Sequence, residues 1–304
     1  MSSEQTEGDK TPSKPWRFIS IIFTVGVSVP VLISSYLLLY NNVSTKSDQR
    51  FTEDLSRATT DAMLWAVDNE KNLLGGLGYI NIELLRMLQD CSDLRYTPAF
   101  DNIIKKFMAS NAKPECDKAM LDPNWPIDTD EINEVFDELI IDYQWELYAL
   151  SPGKISANPK ELDFFNPNRW QGRQLTHQLW GLILYRERNE CGREVDVLIE
   201  HLCDRLSAEL NFDISVVDIY IQKVAFVLKA GHPEKIRRRW IERIIENQNF
   251  DGGWDDKWLC FTSTRRPRFR RVNSNQHASI QAFWVLCQVR YRYPDLFGVN
   301  PEYN

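Results

Sequence analysis

The sequence predicts an all-α protein, with a single apolar helix near the N-terminus followed by a domain of α-helical hairpins. Three observations carry this. From Phe18 to Tyr40 run 23 residues without a charge, enough to cross about 30 Å of hydrocarbon at about 1.5 Å per residue. Beyond that run, apolar residues recur at spacings of three and four, the period of a helix with one buried face. No stretch of useful length alternates apolar and polar residues as a half-buried strand does.

Taken in order, residues 1–16 are polar and read as a disordered tail, and residues 17–40 as a transmembrane anchor. Gly26 and the mid-span Pro30 are compatible with a membrane helix, where neighbouring groups re-satisfy the backbone. A cleaved signal peptide would carry an apolar core of only about 7–15 residues. Lys10, Lys14 and Arg17 precede the run and Lys46, Arg50 and Arg57 follow it, so the positive-inside count is a tie. Arg17 at the membrane edge and the short preceding tail favour a cytoplasmic N-terminus. The expectation is therefore a single-pass membrane protein whose C-terminal domain is extracytoplasmic, periplasmic or luminal.

Residues 41–50 read as a polar linker and 51–304 as one all-α domain. Met63, Ala66 and Val67, the stretch 78–88, and Ile103, Ile104 and Phe107 keep the helical period. Pro114, Pro123 and Pro126 make 111–130 irregular. Asp128-Thr-Asp130 then opens a helix to about Leu150, with Ile132, Val135, Phe136, Leu139, Ile140 and Tyr143 on its buried face. Further helices are predicted at 173–188, 193–210, 214–230, 233–248 and 275–292. Their breaks carry Gly192, Asn211, Gly231 with Pro233, and Gly252-Gly253. Leu175–Leu184 and Gln276–Leu286 look like copies of one unit, each with a histidine near the helix start and a tryptophan within two turns.

Composition bounds the function. The chain has 304 residues, 43% hydrophobic and 26% charged, with ten tryptophans and a net charge of -7. That supports a sizeable core and argues against general nucleic-acid binding. Cys91 with Cys116, and Cys191 with Cys203, are spaced to bridge neighbouring helices, while six buried thiols in a reducing compartment fit equally. No CxxC pair occurs.

The segment Gln248-Asn-Phe-Asp-Gly-Gly-Trp254 resembles the glutamine–tryptophan repeat of the squalene cyclase and protein prenyltransferase superfamily, whose domains are α/α toroids, rings of paired helices. The resemblance implies a toroid-like part at about 165–292, with His277–Leu286 as the inner helix that follows the motif. It also implies that Gln248, Gly252, Gly253 and Trp254 tie one helix end to the next hairpin and do no chemistry. The specific likeness covers about forty residues. The chain is too short for a two-domain triterpene cyclase and holds one good copy of the motif, so cyclase activity is not implied.

Candidate chemistry sits on three stripes. Ser215, Asp218, Gln222 and Lys229, bordered by Lys223, share one face of a mostly apolar helix. Gln174, His177, Gln178 and Tyr185 do so on a second, and Ser274, His277, Gln281 and Gln288 on a third. Helices apolar all round but for one stripe suit an inner ring facing a cavity. His177, Asp218 and His277 are thus candidate catalytic residues, a histidine being suited to proton transfer near neutral pH. Equally, the stripes face water and the histidines cap their helices.

A basic cluster of Lys235, Arg237, Arg238 and Arg239 precedes the double glycine, and Arg265, Arg266, Arg268, Arg270 and Arg271 follow it. Arginine's planar fork suits phosphate or carboxylate, so Arg237, Arg238 and the five later arginines are candidate binding residues for anionic lipid, a phosphate-bearing ligand or an acidic protein partner. Salt bridges to neighbouring acids are the alternative. Asp256, Cys260 and His277 are the residue types of a prenyltransferase zinc site without its spacing, so no metal and no cofactor are expected. Asp128-Thr-Asp-Glu131 has the look of a cyclase acid motif but sits at a helix start, where acids ordinarily favour the dipole. Asn42-Val-Ser44 matches a glycosylation pattern beside the membrane. Two functions follow: an interaction or ligand-binding module of a membrane-associated assembly, or an enzyme whose central pocket acts on a prenyl, glycan or peptide substrate.

Overall fold

The computed structural model describes residues 14–75, 97–110, 141–150, 172–213, 215–255 and 274–300, together with 260–261, 267–268 and scattered positions between 118 and 134. The expected helix at 78–88, Cys91, Cys116 and most of 111–140 lie outside the described residues, as do the side chains of 14–25. The chain divides into two compact units, Met1–Tyr40 and Asn41–Asn304.

The first unit is formed by α1 (Lys14–Asn42), which continues through Pro30. The expected span at 17–40 is therefore helical. Among the described residues, no helix is long and apolar enough to cross a membrane. From Gly26 to Tyr40 nearly every residue of α1 is exposed, including Val27, Leu32, Ile33, Tyr36 and Leu39.

The second unit is helical, as its periodicity predicts. Its helices are α2 (Asp48–Asp68), α3 (Glu70–Gly75), α4 (Thr97–Met108), α5 (Ile141–Leu150), α6 (Gly172–Arg188), α7 (Arg193–Leu210), α8 (Asp218–Lys229), α9 (Arg238–Glu246), α10 (Gln276–Cys287) and α11 (Pro294–Phe297). A 3₁₀ turn at Pro233–Lys235 precedes α9, and a π-helical segment, Gln288–Arg292, extends α10. The strands described are two-residue pieces, β1 (Cys260–Phe261) and β2 (Pro267–Arg268), paired antiparallel. Within the expected linker at 41–50, α1 reaches Asn42 and α2 starts at Asp48, capped by the Ser47 side chain.

Burial sorts the helices. α8 is buried from Tyr220 to Leu228 and α10 from His277 to Cys287, while α7 buries only the face carrying Val195, Ile199, Leu202, Cys203, Leu206 and Leu210. Thr176 of α6 donates to Gln222 of α8 at 2.6 Å, and Trp180 stacks on Phe226 with ring centroids 5.1 Å apart. Both partners advance by four residues, so α6 and α8 run parallel. α8 and α10 pack together, and Asp218 and His277, each in the first turn of its helix, lie 3.6 Å apart, so these two run in the same sense. α7 returns between α6 and α8. Arg186 meets Asp196 near its start at 3.5 Å, and Lys223 meets Glu209 near its end at 2.7 Å.

The double-glycine turn fastens this arrangement. Trp254, 1% exposed, donates its indole N–H to the Ile244 carbonyl at 2.7 Å and its backbone N–H to Ser279 Oγ at 2.8 Å. Gln248 Nε2 donates to the carbonyls of Gly252 and of Ala58 in α2, at 2.8 and 2.9 Å. Gly252 has φ +91°, and a Cβ there would collide with the Asp61 carbonyl of α2. Four residues thus bind the end of α9, the side of α2 and the start of α10 together. Gly252→Ala is expected to lower stability by about 1–3 kcal/mol from the left-handed backbone alone, and by more from the collision. Gly231→Ala shares the positive φ but has nothing within 4 Å, so it should cost clearly less when the two are compared by urea denaturation.

Candidate functional site

The N-terminal turns of α6, α8 and α10 bring the expected polar residues into two contacts rather than one triad. His277 Nε2 lies 3.6 Å from Asp218 Oδ1 and 2.7 Å from Gln281 Nε2. Asp218 opens α8, where the helix dipole favours a carboxylate. His177 instead pairs through Nδ1 with Glu146 of α5 at 3.2 Å. Glu146 is fully buried, a carboxylate the stripe reasoning missed. The signal was present: Glu146 is the one acid on the apolar run Trp145–Leu150, three residues past Tyr143 on the same helical face.

Thr176–Gln222 lies between these pairs in the sequence of contacts. Thr176 precedes His177, and Gln222 follows Asp218 by one turn. Gln281 and Gln222 are both essentially inaccessible to solvent. The three helices therefore present successive levels: a carboxylate and an imidazole, then a hydroxyl and two amides, then the indoles and Phe226. His277 Nε2 lies between the side-chain amide of Gln281 and the carboxylate of Asp218. Lys223 does not join this face, because it reaches Glu209 and Asp213 at 2.7 and 2.8 Å. Lys229 pairs with Glu187 at 3.0 Å, and Tyr185 stacks on Tyr148.

Three of the four residues in the basic cluster before the double glycine, Lys235, Arg238 and Arg239, are engaged in ion pairs within the domain. Glu242, fully buried, accepts from Ser44 Oγ, from the Thr45 amide at 3.2 Å, and from the guanidinium of Arg239 at 3.2 Å, and lies 3.3 Å from Arg238 Nε. Arg238 also holds Asp48 and the carbonyls of Lys46 and Ser47, and its guanidinium lies over the Phe51 ring. Arg239 reaches Glu246 at 2.9 Å, and Lys235 pairs with Asp204. Arg237 is exposed over the Trp240 ring. Arg265, Arg266, Arg270, Arg271 and Asp256 lie outside the described residues. Arg268 and Cys260 are described only as backbone in the short strand pair.

The same contacts strap residues 41–54 across α9. Asn41 and Asn42 donate to the Asn211 carbonyl, and Trp240 Nε1 donates to Asn42 Oδ1 at 3.1 Å. Asn42 and Ser44 are therefore packing residues, so the glycosylation pattern is engaged in the fold. Lys46 bonds Asp54 at 2.8 Å, and Arg50 and Arg57 flank the same carboxylate. Burial alone would raise the Asp54 carboxyl. The Lys46 ammonium bonded to it and the two guanidiniums outweigh that and hold it below the ordinary carboxylate value.

Two smaller expectations resolve. Asp128 is exposed and accepts from the Asp130 amide at 3.0 Å, a turn contact rather than a buried acid. Cys191 and Cys203 are thiols, not a disulfide. Burial pushes the Cys203 thiol up to about 12. A hollow of about 390 Å³ on α2 is lined by Glu53, Ser56, Arg57, Thr60 and Asp61, and neither His177, Asp218 nor His277 lines it. No family model, curated protein or solved structure matches this chain.

Removing the Glu242 carboxylate leaves the buried guanidinium of Arg239 and the half-buried one of Arg238 each short of a partner. Glu242→Ala should therefore cost about 3–5 kcal/mol and release residues 41–54 to hydrogen exchange. The Asp54 contribution has its own sign. A carboxyl held below its unfolded value adds stability above the ordinary carboxylate range and loses it as pH falls through the folded value. Exchange of the 41–54 amides should therefore quicken only on strong acidification in the native protein, and already at neutral pH in Asp54→Asn. Native Cys203 should resist maleimide at pH 8 and react once the chain is denatured.

Proposed function

We propose that this protein is a membrane-anchored α-helical module of a membrane-associated assembly, binding a ligand or partner through its helical domain. The observation that carries the reading is α1. From Val27 to Tyr40 its apolar side chains are exposed on every side, with no polar face to turn toward water, and an apolar surface of that extent ordinarily meets lipid or a partner. In this reading the apolar run at 17–40 is the anchor and the remaining chain is extracytoplasmic. The strap at 41–54 is joined to α9 by buried charge.

The parallel buried helices α6, α8 and α10, with α7 returning between the first two, support a likeness to α/α-toroid domains, and the Trp254 turn supports it further. Arg268, Arg270 and Arg271, with exposed Arg237, remain the candidate contacts for an anionic lipid headgroup, a phosphate-bearing ligand or an acidic partner.

A second reading, an enzyme acting on a prenyl, glycan or peptide substrate, is favoured by one observation, the Asp218–His277 contact beside buried Gln281. In it His277 moves the proton and Asp218 positions the imidazole, with His177 held apart by Glu146.

Vesicle flotation tests the first reading. The full chain should float with neutral and anionic vesicles, and Leu32→Glu with Ile33→Glu and Leu39→Glu should abolish it. Reversing charge at Arg268, Arg270 and Arg271 should weaken only the anionic case, and more so at low salt. A chain that stays in the dense fraction with both vesicle types would remove the reading. Labelling of Cys191 by an impermeant thiol reagent from one side of a sealed membrane checks the orientation.

A further inference from the structure

We infer that the face carrying Val43, Phe212 and Arg237 lies in the headgroup layer of a bilayer, with Arg237 on lipid phosphate. This rests on the anchor reading above and adds to it a surface of the domain. The three residues are gathered by their neighbours. Asn41 and Asn42 both donate to the Asn211 carbonyl, at 3.1 and 3.2 Å, which puts Val43 and Phe212 at one place on the surface. Trp240 Nε1 donates to Asn42 Oδ1 at 3.1 Å, and the Arg237 guanidinium lies 5.8 Å from the centroid of the same indole. Phe212 is 55% exposed and Val43 52%.

Exposure alone points nowhere, because Val197 and Phe250 are comparably or more exposed, and single apolar residues are ordinary on a protein surface. Charge and place in the chain set this face apart. Neighbouring acids are met from within the domain: Asp213 by Lys223 at 2.8 Å, Glu246 by Arg239 at 2.9 Å, and Asp204 by Lys235. Among the described residues Arg237 has no carboxylate of its own, and its contact is the Trp240 ring. The cation this face keeps for an outside partner is therefore Arg237.

The apolar run of α1 ends in Tyr36 and Tyr40, both exposed and stacked with ring centroids 6.0 Å apart. Tyrosines at the end of an apolar helix mark the level of the lipid headgroups. Val43 follows Tyr40 by three residues, a length of chain that spans at most about 11 Å. With 17–40 in a bilayer, the chain itself therefore keeps Val43 within that distance of the headgroups, whatever direction the helix takes. A boundary between water and hydrocarbon accepts this mixture of groups. Phe212 and Val43 enter among the upper acyl carbons while the guanidinium stays with phosphate. An acidic protein would satisfy Arg237 alone and leave both apolar side chains without a counterpart.

The test is photocrosslinking of the full chain on vesicles of phosphatidylcholine alone and of an equal mixture with phosphatidylglycerol. A benzophenone amino acid is installed at position 212, or at position 197 or 250 as controls. Position 212 should form lipid adducts and the controls should not. On the mixed vesicles at low salt, Arg237→Gln should lower the 212 adduct about fivefold, the effect of one arginine at an anionic surface. On phosphatidylcholine alone the same variant should change it little. Protection of Cys203 from maleimide reports that each chain is folded, and the label at position 43 stands in if the one at 212 prevents folding. Four outcomes from a chain that floats overturn the inference and leave the anchor standing: no lipid adduct at 212, equal adducts at all three positions, an adduct that Arg237→Gln leaves undiminished on the mixed vesicles, or an adduct with a second copy of the chain in place of lipid. A chain that floats with neither vesicle loses the anchor and this face together.

Discussion

The position of everything near Asp218 depends on how Trp254 is held. Its indole N–H is committed to the last turn of α9 and its backbone N–H to Ser279, so the loop between helices ends at a fixed point on α10. Ser279 also returns a hydrogen bond to the Asn275 carbonyl, and Asn275 caps the helix through the Ala278 amide. These few bonds set the register of α10, and His277 lies two residues before Ser279. The contact with Asp218 is thus set through the seat of Trp254. A double glycine is needed because both backbones approach closely: Gly252 against the Asp61 carbonyl and Gly253 against Ser274 and Ser279.

A second constraint is the buried charge on α9. Bringing Arg239 and Glu242 out of water is unfavourable unless each hydrogen bond is returned, and most of the returning groups come from residues 41–54. The strap is therefore a condition of burying α9 rather than an addition to it. It also explains why a basic sequence cluster does not produce a basic surface there. Arg238 spends its guanidinium on Asp48, two strap carbonyls and the Phe51 ring. Only Arg237 is left exposed over its tryptophan.

Much of this was legible beforehand, for identifiable reasons. Helix ends near Gly192, Asn211 and Gly231 follow local rules of capping and glycine conformation, which act within a few residues and so can be read locally. The Asp218, His277 and Gln281 stripes were visible because polar residues on an otherwise apolar helix stand out at a period near 3.6. The partners of Arg238 were not visible, since Asp48 lies 190 residues away and nothing nearby in sequence marks it. Glu146 was overlooked because a single acid at a helix end usually faces water, whereas here a histidine from the next helix covers it. The apolar run at 17–40 was conspicuous by hydropathy, yet the described part of α1 does not satisfy the length and apolarity of a span.

The strap has a temporal consequence. Ser44 meets Glu242 across 198 residues, so during synthesis the first part of the domain to emerge must wait for nearly the last. At about 5–20 residues per second that delay is about 10–40 s. Through that interval Ser44, Thr45 and Asp48 lack their partners on α9 and the seat of Trp240 stays open. The strap contacts of a nascent chain of this protein are therefore completed late in synthesis.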